Sequence, residues 1–403
     1  VTCRHFGRCG GCSVPDVPYA MQLRRKRERL QTWFPDLTIG QVVASPREWG
    51  FRHKVAFAFA PQTGSADLVM GHFQVGSQRV IRIDECPVHS VRGNHLAFAL
   101  RDALMRGRVP PGILRHVLIR TSDDEREAVV MLVVTANHPS LRGPVRAFLE
   151  GPERPDGFLL NIHDRPGPYM VGPTTLRLTG RGHVRDEVHD AVFQIAPTAF
   201  FQTNVGAARV LVSTVLASVG AAREVLDLYA GSGLFSLPLA MRGARVVSVE
   251  ENKQAVSDAH ENLRLNRLPA EAVRLIAART EDALGRLSRR AWDAVILDPP
   301  RQGCAPRVIE VVCALAPSRV VYVSCQPERL ADERAQFARG GYALTQVTGI
   351  DMFPHTDHLE AVAVLTPAST VKERTREPRR RDTRPDPSRL DRRRGAPGCR
   401  RST

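Results

Sequence analysis

Between residues 196 and 366, short apolar runs rich in Val, Leu and Ile alternate with longer stretches whose apolar positions recur every three or four residues. The first kind predicts buried strands and the second amphipathic helices. Strands are expected at 224–229, 245–250, 273–278, 292–297, 319–324, 344–350 and 358–365. Helices are expected at 204–219, 233–242, 253–266, 281–290, 305–315 and 327–339. Regular alternation predicts a doubly wound α/β sheet of seven strands. Only a short loop separates the last two strands, so one of them should run antiparallel and the sheet should be mixed.

Residues 36–195 have a different texture. Short β-type runs at Lys54 to Ala60, Gln78 to Ile83, Val117 to Thr121, Ala128 to Val134 and Thr175 to Leu178 are divided by Gly, Pro and charged turns. They predict a central α+β domain whose pairing order the pattern leaves open. Residues 1–35 combine a cysteine cluster with Tyr19 to Leu30, where apolar residues at helical spacing leave a basic remainder. That stretch predicts a helix with a cationic, solvated face. From 367 to 403 the chain is Arg-, Pro- and Asp-rich, which predicts a disordered basic tail.

At 403 residues the chain is too long for one ordinary domain, and 43% hydrophobic residues suffice for proper cores. No run of about 18 apolar residues occurs, which excludes an ordinary membrane-spanning helix. The N-terminus has no secretory core, so a cytoplasmic monomer without a membrane partner is expected. The formal charge is +15, with thirteen Lys/Arg against five Asp/Glu in residues 371–403. The remainder is still basic, and excess positive charge favours a polyanionic partner such as RNA.

Candidate chemistry clusters at the expected strand ends. Val225 to Gly233 follows a strand and opens a helix, with glycines that let the backbone turn tightly around a ligand. The third glycine of a dinucleotide fingerprint is replaced by Ser236, and Asp227 suits a cationic sulfonium better than a pyrophosphate. S-adenosylmethionine is therefore favoured over NAD. Glu250 ends the next strand, where a carboxylate can accept from both ribose hydroxyls. Asp298-Pro299-Pro300-Arg301 closes the fourth strand, its prolines holding the loop rigid. Enzymes that methylate amino groups carry an aromatic after the two prolines, so Arg301 fits poorly with that chemistry.

Cys325 falls where a β-branched strand ends, the place where open α/β sheets bind ligands. Uracil C5 is a weak nucleophile. A thiolate adding to C6 makes C5 carbanion-like, and the C5 proton must leave before the thiolate does. That chemistry requires a cysteine and a separate base, which Cys325 and Glu360 supply. Cys304, beyond the prolines, is the competing nucleophile, and Cys313 reads as core.

Together these motifs resemble the RNA 5-methyluridine methyltransferases. The matching residues are Phe200-Phe201-Gln202-Thr203-Asn204, Asp227 to Gly233, Glu250, Asp298 to Arg301, Val323 to Pro327 and Asp351 to Glu360. The resemblance implies a Rossmann-like class I methyltransferase domain over 196–366. It implies that Gln202, Tyr229, Glu250 and Asp298 contact cofactor or uracil, that Cys325 is the nucleophile and that Glu360 accepts the proton. Leu234 stands where relatives often have Asn, and that contact is not carried over. Some relatives begin with an extra RNA-binding β-barrel. Nothing of the kind precedes Cys3, and its lack leans the expected substrate towards 23S ribosomal RNA, with transfer RNA second. An RNA cytosine-C5 methyltransferase, using Cys304, is a further alternative.

Of the eight cysteines, Cys3, Cys9 and Cys12 crowd the N-terminus, and Cys86 follows. Four thiolates suit zinc or an iron–sulfur cluster, and spacing alone does not choose. Cys9-Gly10-Gly11-Cys12 and Asp84-Glu85-Cys86-Pro87-Val88 are similar to the family's [4Fe–4S] ligands, which implies that cluster here. Ser13-Val14-Pro15 replaces the polar sequence that usually follows.

Overall fold

The computed structural model describes residues 3–61, 68–165, 170–287 and 291–368; most of the expected basic tail lies outside the described residues. Helix α1 (Tyr19–Trp33) comes first. A seven-stranded sheet follows, built from β1 (Lys54–Pro61), β2 (Leu68–Phe73), β3 (Val80–Arg82), β4 (Leu114–Thr121), β5 (Ala128–Val134), β6 (Gly157–Ile162) and β7 (Thr174–Gly180), in the order β3-β2-β1-β4-β5-β6-β7. Only β5 and β6 run parallel. Helices α2 (Val91–Arg106) and α3 (Arg142–Leu149) cover the face that presents Val55, Phe57, Val117, Ile119, Val130 and Leu132.

A hairpin of β8 (Val184–Val188) and β9 (Ala191–Ile195) leads into α4 (Val205–Val219). The second sheet then alternates β10 (Glu224–Leu228), α5 (Ser236–Met241), β11 (Arg245–Glu250), α6 (Lys253–Leu265), β12 (Val273–Ala277), α7 (Thr280–Leu287), β13 (Ala294–Leu297), α8 (Pro306–Ala314), β14 (Arg319–Ser324) and α9 (Pro327–Arg339), and ends in β15 (Tyr342–Ile350) and β16 (Glu360–Pro367). Its order is β12-β11-β10-β13-β14-β16-β15, with β16 antiparallel to both neighbours. This is the mixed seven-stranded sheet that the alternation predicts. The strand order reverses at β10, so the crevice between β10 and β13 is the place for a ligand.

Strands buried on both faces read as continuous apolar runs. Val225, Ile296 and Val321 face one layer with α4 and α5, while Leu226, Val295 and Tyr322 face the other with α7, α8 and α9. The first layer also takes in Leu118, Met131 and Val133 from the back of the first sheet, so one core joins the two sheets. Helix α1 belongs with the other layer, through Leu30 and the following Phe34, Ile39 and Val42. Its basic face is only partly solvated: Arg24 and Arg25 are exposed, but Lys26 is buried. Among the described residues no helix is long and apolar enough to cross a membrane.

Candidate active site

At the end of β10 the chain turns through Tyr229, Gly231 and Gly233, with φ of 63°, 56° and 91°. This region is costly for a residue with a side chain and open to glycine. A Cβ on Gly233 would come within 2.3 Å of Leu237 Cδ1. The turn carries the Gly231 amide to Glu250 Oε2 at 2.9 Å, and Glu250 Oε1 accepts from the Asn252 amide at 2.7 Å. Asp227 does not face the cofactor space as the sequence suggests. It is buried in β10, accepts from Ser236 Oγ at 2.5 Å and does not line the cavity. Burial, only partly offset by that hydrogen bond, pushes its carboxyl up to about 7. Asp227 braces the turn from behind.

One cavity of ≈ 910 Å³ is lined by Gln202, Tyr229, Glu250, Asp298, Cys325 and Glu360 together. Gln202 enters on a loop that the first sheet grips. Lys54 Nζ and Arg120 Nη2 donate to the Ala199 carbonyl at 3.3 and 3.4 Å, and the His53 amide donates to the Thr203 carbonyl at 2.8 Å. Asp298 follows β13, Cys325 follows β14 and Glu360 opens β16. Ser324 pairs with Ala361 across the β14–β16 ladder, so Cys325 and Glu360 leave it from the same rung. Sequence separation of 35 residues collapses to adjacency.

The charges of this cavity are unbalanced. Burial, then Glu360 and Asp298, push the Cys325 thiol up to about 11, with Arg301 opposing them. Burial, then Asp227 and Glu250, push the Asp298 carboxyl up to about 7. Glu360, 4% exposed, lies well above the usual carboxylate range through burial and Asp298, again opposed by Arg301. Carboxyls (Glu250, Glu251, Glu281, Asp298 and Glu360) outnumber guanidiniums (Arg279 and Arg301) in the lining, and such a pocket fits a cationic ligand. Arg301, read from sequence only as a poor fit to amino-group methylation, is a cation that acts on both Cys325 and Glu360.

Cys304 also lines the cavity, but in a different state. It is 7% exposed, its amide donates to Glu333 Oε1 at 2.8 Å, and its thiol lies near Tyr322 and Tyr229. Burial and Glu333 hold that thiol far above its ordinary range. Cys325 is half-buried beside a cation. The two are not equivalent nucleophiles.

A family model described as tRNA (uracil-5-)-methyltransferase matches residues 181–367. An uncharacterized RNA methyltransferase of Gloeobacter violaceus is 33% identical over 89% of this chain and 80% of its own length. One from Thermotoga maritima is also 33% identical, over 90% of this chain and 84% of its own. The chain belongs to the RNA (uracil-5-)-methyltransferase family. The crystal structure of the Pyrococcus abyssi tRNA (uracil-54, C5)-methyltransferase, in complex with S-adenosyl-L-homocysteine, superposes with a TM-score of 0.76 at 27% identity. It covers 89% of this chain and 86% of that one. An RNA uracil-5 methyltransferase of this class I fold takes its methyl group from S-adenosylmethionine, and the acid-rich cavity beside the β10 turn suits that cation.

A second pocket, of ≈ 240 Å³, is lined by Cys3, Cys9, Cys12 and Cys86. All four are free thiols. Burial pushes Cys12 up to about 11 and Cys86 up to about 12. Four thiols gathered around one pocket form a donor set that a bound cation or cluster would satisfy. The sequence did not show the two imidazoles beside them. His72 Nδ1 is 3.4 Å from Cys9 Sγ, and His72, Cys86 and His89 offer donor atoms within 4.8 Å of one another. Burial drives His72 down to about 4, so it is a neutral partner in that pocket.

Proposed function

We propose that this enzyme methylates uracil C5 through a covalent adduct in which Cys325 is the nucleophile and Glu360 the proton acceptor. The observation that carries the reading is their shared rung: a thiol and a carboxyl on adjacent strand ends, lining one cavity. The Cys325 thiolate adds to C6 of the pyrimidine and an enolate forms. Bound S-adenosylmethionine supplies the methyl group to C5. Glu360 then takes the C5 proton, the C5–C6 double bond re-forms and the thiolate leaves. A carboxylate whose proton affinity is raised by burial is a stronger base for that last transfer. Gln202, Tyr229, Glu250 and Asp298 hold cofactor and uracil. The target uridine must leave its stack, at a cost of about a few kcal/mol, and a loop meets that cost most easily.

Cys3, Cys9, Cys12 and Cys86 are the proposed ligands of a [4Fe–4S] cluster, which has no part in the steps above. The substrate is a uridine in ribosomal or transfer RNA. The similar Pyrococcus abyssi enzyme is a transfer RNA methyltransferase, which supports transfer RNA as a candidate substrate. The buried Cys304, whose amide is held by Glu333, argues against the cytosine alternative.

Two measurements test the reading. Cys325→Ala should abolish methylation of RNA, while Cys304→Ala should retain it; the reverse outcome would reject the mechanism. Mapping 5-methyluridine in ribosomal and transfer RNA from a strain lacking the gene should show one site lost, and its location names the substrate.

A further inference from the structure

The loop between β15 and β16, residues 351–359, delivers Glu360 to the cavity. It is held by the N-terminal segment. The Ser13 and Val14 amides both donate to the His355 carbonyl at 3.0 Å. The Asp357 amide donates to Ser13 Oγ at 3.2 Å. From α1, Gln22 Oε1 accepts from the His355 amide at 2.8 Å, and Gln22 Nε2 lies 3.2 Å from His355 Nδ1. The same Nε2 donates to the Val17 carbonyl at 2.8 Å.

His355 is the centre of this arrangement. It is 2% exposed, with φ of 66°. A non-glycine residue keeps that conformation only where its surroundings over-determine it. Its ring stacks on Trp49 with centroids 3.6 Å apart, and its Nε2 lies 2.8 Å from the Glu48 carbonyl. With Nε2–H donating to Glu48 and Nδ1 accepting from Gln22, the neutral ring has both nitrogens satisfied. Trp49 also lines the four-cysteine pocket, and Ser13 directly follows Cys12.

We propose that His355 is a positioning residue for the proton acceptor: clamped by the segment that carries Cys3, Cys9 and Cys12, it fixes the loop that sets Glu360 opposite Cys325. This rests on the assignment of Glu360 made above. Cys325 lies on β14's end, outside the clamped loop, so a loosened clamp leaves thiolate addition and methyl transfer largely intact. Proton removal slows instead, and methylated RNA stays bonded to Cys325. A metal group on the cysteines thereby gains a role at the active site without taking part in the chemistry.

The test uses the full chain with its metal group in place. Gln22→Met removes the buried half of the clamp, Ser13→Ala removes one exposed hydrogen bond with little risk to folding, and Glu360→Gln runs beside them. RNA–protein adduct is measured on denaturing gels during turnover, with hydrogen exchange at amides 355–360. Gln22→Met should raise the adduct about tenfold over the unmodified enzyme, as misplacing a catalytic group slows its own step. Exchange at 355–360 should quicken in both clamp variants. Adduct accumulating in Glu360→Gln but not in Gln22→Met would overturn the positioning role. No adduct in Glu360→Gln would overturn the base assignment beneath it. If Gln22→Met does not fold, unchanged exchange in Ser13→Ala decides against the clamp.

Discussion

Lys26 Nζ lies 2.7 Å from Asp351 Oδ1, and the two side chains are 3% and 0% exposed. The pair joins α1 to the first residue of the loop that leads to Glu360. Lys26 also donates to the Phe353 carbonyl at 3.3 Å, and the Phe353 amide donates to Asp351 Oδ1 at 3.0 Å. Burial lowers the proton affinity of Lys26 and Asp351 raises it, so the amine depends on its partner.

Lys26→Met should therefore destabilise the protein by about 3–5 kcal/mol, because it leaves a buried carboxylate unpaired. The double variant Lys26→Met, Asp351→Leu should recover much of that loss, since removing both charges ends the desolvation cost. Urea unfolding of the single and double variants checks this. A single variant as stable as the parent would mean that water reaches Asp351.

Much of the second half of the fold is legible in the sequence, and the reason is physical. Strands such as Val320–Val323, buried on both faces, must be apolar throughout, and helices between them must be amphipathic. Both periods survive in the text of the chain. The sequence does not show β2, β6 and the β8–β9 hairpin, whose Gly71, Asn161 and Asp186 interrupt the apolar runs. The residues that line the cavity are legible because they sit at strand ends. Their electrostatic partners are not: Arg301 on Cys325, His72 beside Cys9, and Lys26 on Asp351 all depend on distances that no local pattern encodes. Asp227 shows the opposite failure, since its place at a strand end suggested a ligand contact that burial forbids.

Alkylation should report the state of the Cys325 thiol. With Cys325 at about 11, its thiolate fraction in the ligand-free protein rises about tenfold per pH unit below that value. Iodoacetamide labelling of the Cys325 peptide, followed by mass spectrometry between pH 7 and 9, should climb accordingly. Arg301→Gln removes the opposing cation and should slow labelling at a fixed pH, while Asp298→Asn should speed it. A plateau already at pH 7 would mean the thiolate is formed without ligand.

The acid excess makes a separate prediction about stability. Asp298 holds its proton to about 7 in the folded chain, against 3.8 in the reference state, so the folded form binds the proton more tightly. Its contribution is fully present below about 4 and is lost as pH rises through 7. Asp298→Asn does not titrate. The variant should gain stability relative to the parent between pH 5 and 8, as read by thermal unfolding without ligand. A constant difference across that range would show Asp298 already ionised.

Removal of the proposed cluster tests the cysteine pocket. Protein purified without oxygen should carry iron and acid-labile sulfide in equal amounts, and Cys86→Ser should lose both. Cys86 lies with Phe57, Val88 and Leu96 in the core of the first sheet, while Cys9 and Cys12 pack against that core from the N-terminal segment. A group bonded to all of them ties the segment down, because ligands bound only by the folded state add their binding free energy to its stability. Chelation or oxidation of the group should therefore lower the thermal midpoint, with the earliest loss of amide protection in residues 3–17 and then in 351–360. Bound zinc with no iron would reject the cluster. Loss of iron with unchanged protection in both segments would show that the cysteines are not the anchor.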